Sequence, residues 1–79
     1  MPTTTETFGQ RLKARRLRTG LTIERLGVSA GLTANTVGRL ERGATNLPTL
    51  TTMQRLADAL DCDVLALVSD AFDPEYPAP

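Results

Sequence analysis

Three glycines, at positions 20, 31 and 43, cut the first half of this chain into helix-sized lengths. Each stands just past a stretch of helical apolar spacing, the place where a left-handed residue commonly stops a helix. Before Gly20, Phe8, Leu12 and Arg16 recur at i, i+4, i+8; Ile23, Leu26 and Ala30 mark a second stretch before Gly31. Leu32, Val37 and Leu40 mark a third, before Gly43. Thr22 and Thr33 occupy N-cap positions for the second and third helices. Leu32 and Val37 flank the Thr33 cap with the spacing of a hydrophobic staple.

The second half continues in the same style. ATNLP, residues 44–48, reads as a loop. A fourth helix begins at about Thr49, with Leu50, Met53, Leu56, Ala57 and Leu60 as its buried stripe. Asp63 is placed to cap a short fifth helix containing Val64, Leu65, Leu67 and Val68. No strand alternation is convincing and no repeat is visible. The expectation is an all-α, compact five-helix domain over residues 7–69, with a flexible lead (1–6) and a disordered, acidic, Pro-rich tail (70–79).

Composition narrows the chemistry. With 79 residues the chain is one domain, near the lower limit for a self-sufficient core. One cysteine and no histidine exclude a disulfide framework, Cys/His zinc sites and Ser–His or Cys–His catalytic pairs. No metal or cofactor is expected, and no acid, base and nucleophile converge to make an enzyme. Asp61 and Asp63 read as helix-end caps, and Cys62 as a small hydrophobe. No apolar run approaches the roughly 20 residues needed to span a bilayer. The polar start MPTTTETFGQ has no signal-peptide pattern, so a cytoplasmic location is expected.

Formal net charge is zero, but its distribution is uneven. Residues 11–42 hold eight basic side chains against two acidic ones; residues 43–79 hold one basic against six acidic. One half is therefore suited to meet a polyanion.

The stretch LTANTVGRLERG, residues 32–43, has two unlike faces. Leu32, Val37 and Leu40 can point into a core, while Asn35, Arg39 and Arg42 line the opposite side at i, i+4, i+7. Between them stand the small residues Ala34 and Gly38, which would let another molecule come close. Two charges lie on apolar faces: Arg16 on the stripe of Phe8 and Leu12, and Glu41 beside Leu40. Burying either alone is costly, so the expectation is an Arg16–Glu41 salt bridge between the first and third helices. The alternative is that both side chains extend to solvent.

A helix, a tight turn at Gly31 and a second helix with a polar outward face make a helix-turn-helix pattern. TIERLGVSAGLTANTVGRLERG, followed by LPTLTTMQRLADALD, resembles the phage-repressor-like helix-turn-helix family, the Cro and lambda-repressor or xenobiotic-response-element type. The likeness covers about residues 8–68. It implies that the third helix lies in the major groove of double-stranded DNA. Ala34, Asn35 and Arg39 match the base-reading positions, with Thr33 and Gly38 adjacent. The side chains present are chemically suited to base edges, Arg39 to guanine O6 and N7, Asn35 to adenine N6 and N7, and Ala34 to a thymine methyl. Phosphate contacts are implied for Thr22 at the start of the second helix, for Arg42, and for the Ala44–Thr45–Asn46 loop. Arg11, Lys13, Arg15 and Arg18 are weaker phosphate candidates; the alternative is a solvated face with some long-range attraction.

The chain also departs from the family pattern. Ile23 stands where a glutamine often donates to phosphate, and Gly27 where alanine is preferred. Gly38 takes a position usually held by serine or a longer polar residue, and Ala34 one often held by a basic or amide residue. Gly27 either permits close packing or is tolerated drift. Base reading then rests mainly on Asn35 and Arg39, so useful specificity calls for an additional domain partner or for a homodimer reading two half-sites. Leu65 and Val68 are the candidate dimer contacts; otherwise they cap the small core.

The expected function is a sequence-specific transcriptional regulator, a repressor by expectation. Two alternatives stay open: an antitoxin that autoregulates its operon, and a protein-interaction module that has lost DNA binding. The acidic tail with Phe72 and Tyr76 could be a partner-binding arm or a solubilising end.

Overall fold

A computed structural model describes residues 4–44 and 47–68, and of residues 4–7 the backbone alone. Five helices follow one another: α1 (Thr4–Thr19), α2 (Ile23–Ala30), α3 (Ala34–Glu41), α4 (Leu50–Ala59) and α5 (Val64–Val68). α1 reaches back to Thr4, into the segment that the sequence pattern assigns to a flexible lead. Apolar periodicity marks where a helix is buried and does not mark where its backbone bonding begins. Thr45, Asn46 and the tail from 70 onward lie outside the described residues.

Capping explains the boundaries. Thr22, Thr33 and Thr49 are extended at ψ 165°, 155° and 163°, and their hydroxyl oxygens accept from the amides of Arg25, Thr36 and Thr52. Each such cap stabilises its helix by about 1 kcal/mol. At the other end of α2, Gly31 takes φ 73°, its amide donates to the Val28 carbonyl, and the Leu32 amide donates to the Gly27 carbonyl at 2.7 Å. That pair of bonds is a Schellman stop. The same pair closes α1 around Gly20 and α3 around Gly43. α4 ends in this way too, but Asp61, at φ 54°, supplies the left-handed residue.

The core is built from every helix: Phe8 and Leu12; Leu26 and Ala30; Val37 and Leu40; Leu56, Ala57 and Leu60; Leu67. Leu50, expected in the buried stripe of α4, is instead largely exposed. It is the first residue of α4, at the end of the helix and beyond the span that packs.

α1 packs against α3 on one side and α5 on the other, which corrects the reading of its basic residues. Arg11 is only 2% exposed and Arg15 is also buried, whereas Lys13 and Arg18 are exposed. A helix held between two others has two buried flanks. Arg11 and Arg15 lie on the flank opposite to the one that meets α3, and the burial reaches their guanidinium groups, with Nε of both and Nη1 of Arg11 shielded from solvent.

On the α3 side the approach is close enough to exclude a methyl group. A Cβ added at Gly9 would stand 2.5 Å from the Leu40 carbonyl oxygen and 2.7 Å from that of Glu41. Gly27 plays the same part in the turn between α2 and α3, where a Cβ would meet the Leu32 carbonyl oxygen at 2.7 Å. The packing alternative for Gly27 is therefore the one the geometry favours.

Candidate nucleic-acid interface

α3 is fixed from behind before it presents anything in front. Val37 and Leu40 are buried in the core, and the last residue of the helix is held by an ion pair. Arg16 donates from Nε to Glu41 Oε2 at 2.6 Å and from Nη2 to Oε1 at 3.1 Å. Its remaining nitrogen, Nη1, donates to the Leu21 carbonyl at 2.9 Å. One guanidinium thus joins α1, the loop before α2 and the end of α3. The two side chains are 9% and 5% exposed, so the pair is shielded from solvent. In that setting a two-bond Arg–carboxylate contact has both strength and fixed geometry.

The outer row of α3 is open. Asn35, Arg39 and Arg42 are all exposed. Among the described residues neither Arg39 nor Arg42 meets a carboxylate. Asn35 and Arg39 stand one helical turn apart and carry the two side chains best suited to base edges.

The remaining candidates are placed differently. Thr33 is exposed, but its hydroxyl is engaged in the cap, accepting from the Thr36 amide and donating to Thr36 Oγ1 at 2.9 Å. Ala34 is half-buried. Gly38 is buried, covered by the Arg42 side chain; it does not offer the open gap that its small size suggested. Residues four apart share a helix face, so an arginine at 42 lies naturally over a glycine at 38.

Of the phosphate candidates, Thr22 is exposed at the N-cap of α2, its oxygen accepting from the Arg25 amide. The Ala44 amide donates to the Arg39 carbonyl at 3.0 Å, which closes α3 and leaves no amide proton for a phosphate. Thr45 and Asn46 lie outside the described residues. Leu65 and Val68 are 52% and 36% exposed on α5.

Two further residues shape this surface without standing out in the sequence. Gly9 sets how closely α3 sits on α1; its position beside the buried stripe was the available signal. Arg55 places Nη1 3.7 Å from where a Gly31 Cβ would stand, at the carboxyl end of α2. A cation there complements the helix dipole. Nothing in the acidic second half of the sequence singles it out.

Comparisons with known proteins agree with this geometry. A family model described as a helix-turn-helix domain matches residues 7–69. The HTH-type transcriptional repressor RghR of Bacillus subtilis (strain 168) is 36% identical over 55 residues, covering 70% of this chain. The match takes in 41% of RghR, so the chain spans about two fifths of that relative's length. Among solved structures, the restriction-modification controller protein C.AhdI from Aeromonas hydrophila is 40% identical at a TM-score of 0.76, covering 80% of this chain and 94% of its own. The clp gene regulator ClgR from Corynebacterium glutamicum superposes at a TM-score of 0.79 over 85% of this chain and 86% of its own. At 22% identity that likeness speaks to the fold.

Proposed function

The chain belongs to the phage-repressor-like helix-turn-helix family, and on that premise we propose that it is a sequence-specific DNA-binding transcriptional regulator acting as a repressor. α3 enters the major groove, Arg39 reads a guanine and Asn35 an adenine, and Thr22 donates its hydroxyl proton to a flanking phosphate. One observation carries the reading: Asn35 and Arg39 are exposed on a helix whose other face is buried and whose end is pinned by Arg16. A groove reader needs that division between fixed back and open front.

Two readers per site make a short code. Two copies joined through Leu65 and Val68 of α5 would double it, as in dimers that read half-sites one helical turn apart. Both side chains are apolar and substantially exposed, which suits a two-fold contact. Of the readings open at the sequence level, the regulator is the one that its relatives support: one is named as a transcriptional repressor, another as a controller protein. A regulator of this kind works in the cytoplasm. Among the described residues no helix is long and apolar enough to cross a membrane.

The test is selection of bound sequences from random DNA. Recovery of a palindrome with half-sites about 10 base pairs apart supports the reading. Recovery of no preferred sequence overturns it.

A further inference from the structure

Gly38 lies on the outer half of α3, directly before Arg39, and is nevertheless buried. The Arg42 side chain lies over it. Beyond its own helix backbone and chain neighbours, a Cβ built at Gly38 meets one atom, Nη1 of Arg42, at 3.1 Å. The Arg42 side chain therefore runs back along α3 toward the amino end, the direction that helical side chains take. Its guanidinium is thereby drawn back about one turn, roughly 5 Å, toward Asn35, on the side of the helix away from Arg39.

We infer that Gly38 is a seat for the Arg42 guanidinium, and that Arg42 is a third specificity-determining residue that reads a guanine edge instead of holding a phosphate. The inference rests on the proposal that α3 enters the major groove, and it names a reader beyond Asn35 and Arg39. Three features support it. The adjacent carboxylate, Glu41, is held by Arg16 and does not compete for Arg42. Among the described residues Arg42 meets no other carboxylate, so its forked donors are available to DNA. A methyl group at position 38 would stand 3.1 Å from Nη1, close enough to push the guanidinium off its seat by a few tenths of an ångström. Laid back over Gly38, the guanidinium stands beside Asn35, three residues from its seat, and flanks it on the side opposite to Arg39; extended from the helix end, it would meet the groove edge.

The chemistry sets the test. Bidentate recognition of guanine O6 and N7 needs the planar fork of arginine, which lysine does not reproduce. Bound-sequence selection is run on the full chain for wild type, Arg42→Lys, Arg42→Ala, Gly38→Ala and the Gly38→Ala/Arg42→Ala double variant. None of these changes touches the core, and circular dichroism verifies each fold.

Both Arg42 variants are expected to lose preference for one guanine per half-site by about tenfold, with other positions retained. Gly38→Ala is expected to weaken that same preference, and to have no further effect when Arg42 is already alanine. Uniform weakening of all sequences by Arg42→Ala, with a salt slope smaller by about 1, and a sequence preference kept by Arg42→Lys would make Arg42 a phosphate contact and overturn the inference. A Gly38→Ala effect that persists unchanged in the double variant also overturns it, since the glycine would then be making room for DNA itself. If wild type selects no sequence, it is the proposed function that fails.

Discussion

Arg16 and Glu41 meet through two hydrogen bonds, 2.6 and 3.1 Å long, across a separation of 25 residues. The contact ties the end of the reading helix to α1, and Arg16 adds the Leu21 carbonyl, so three segments share one guanidinium. Removing one partner leaves a shielded charge without its complement. Glu41→Ala or Arg16→Ala should therefore destabilise the fold by about 3–5 kcal/mol. Chemical denaturation measures this directly. An unchanged midpoint for Glu41→Ala would mean that the pair contributes nothing to holding α3.

Three glycines inside helices should respond in opposite directions to the same substitution. Gly9→Ala and Gly27→Ala each force a methyl group against backbone carbonyl oxygens, at 2.5 and 2.7 Å. Those atoms cannot swing aside, so a loss of about 1–3 kcal/mol is expected despite alanine's better helix propensity. At Gly38 the obstacle is the tip of a flexible arginine, at 3.1 Å. There the propensity gain of up to about 1 kcal/mol should prevail. Thermal unfolding of the three variants tests the ranking; a Gly9→Ala protein as stable as wild type would contradict the close approach of α1 to α3.

These glycines also mark the boundary of what is legible in the sequence. Helix order, the threonine caps and the Gly31 turn can be read because caps and stops are local chemistry. The Arg16–Glu41 pair is foreseeable because each charge sits on an apolar stripe of its own helix. The role of Gly9 is only hinted at by its place beside the buried stripe, since nothing local shows which neighbour a helix will cross or how closely. Arg11 and Arg15 look solvated in the sequence for a related reason: they are buried by tertiary packing of α1, which meets α5 as well as α3. The covering of Gly38 depends on a side-chain direction, which spacing alone leaves open.

Dimerisation should depend on the exposed apolar side chains of α5. Leu65→Glu, alone or with Val68→Glu, places charge on a surface that a two-fold contact would bury, while Leu67 beneath it stays in the core. Sedimentation should show wild type shifting from monomer to dimer with concentration and the charged variants remaining monomeric. A wild type that is monomeric at all concentrations, with and without operator DNA, would remove α5 as the interface.

Salt should weaken binding steeply even though the chain has no net charge. Basic side chains concentrated in residues 11–42 displace counterions locally. The logarithm of the affinity should fall linearly with the logarithm of salt concentration, with a slope of about −0.9 for each phosphate neutralised. Fluorescence anisotropy across a salt series gives the slope. A flat response would place binding outside the electrostatic mode of DNA recognition.

The most direct test compares wild type with Arg39→Ala on the selected operator and on variants of it changed one base pair at a time. Reading of a guanine by Arg39 predicts that wild type discriminates at one position per half-site by about 1–3 kcal/mol and that Arg39→Ala loses discrimination at that position alone. If Arg39→Ala weakens every operator variant by the same factor, Arg39 holds a phosphate and α3 does not read the sequence in the way proposed.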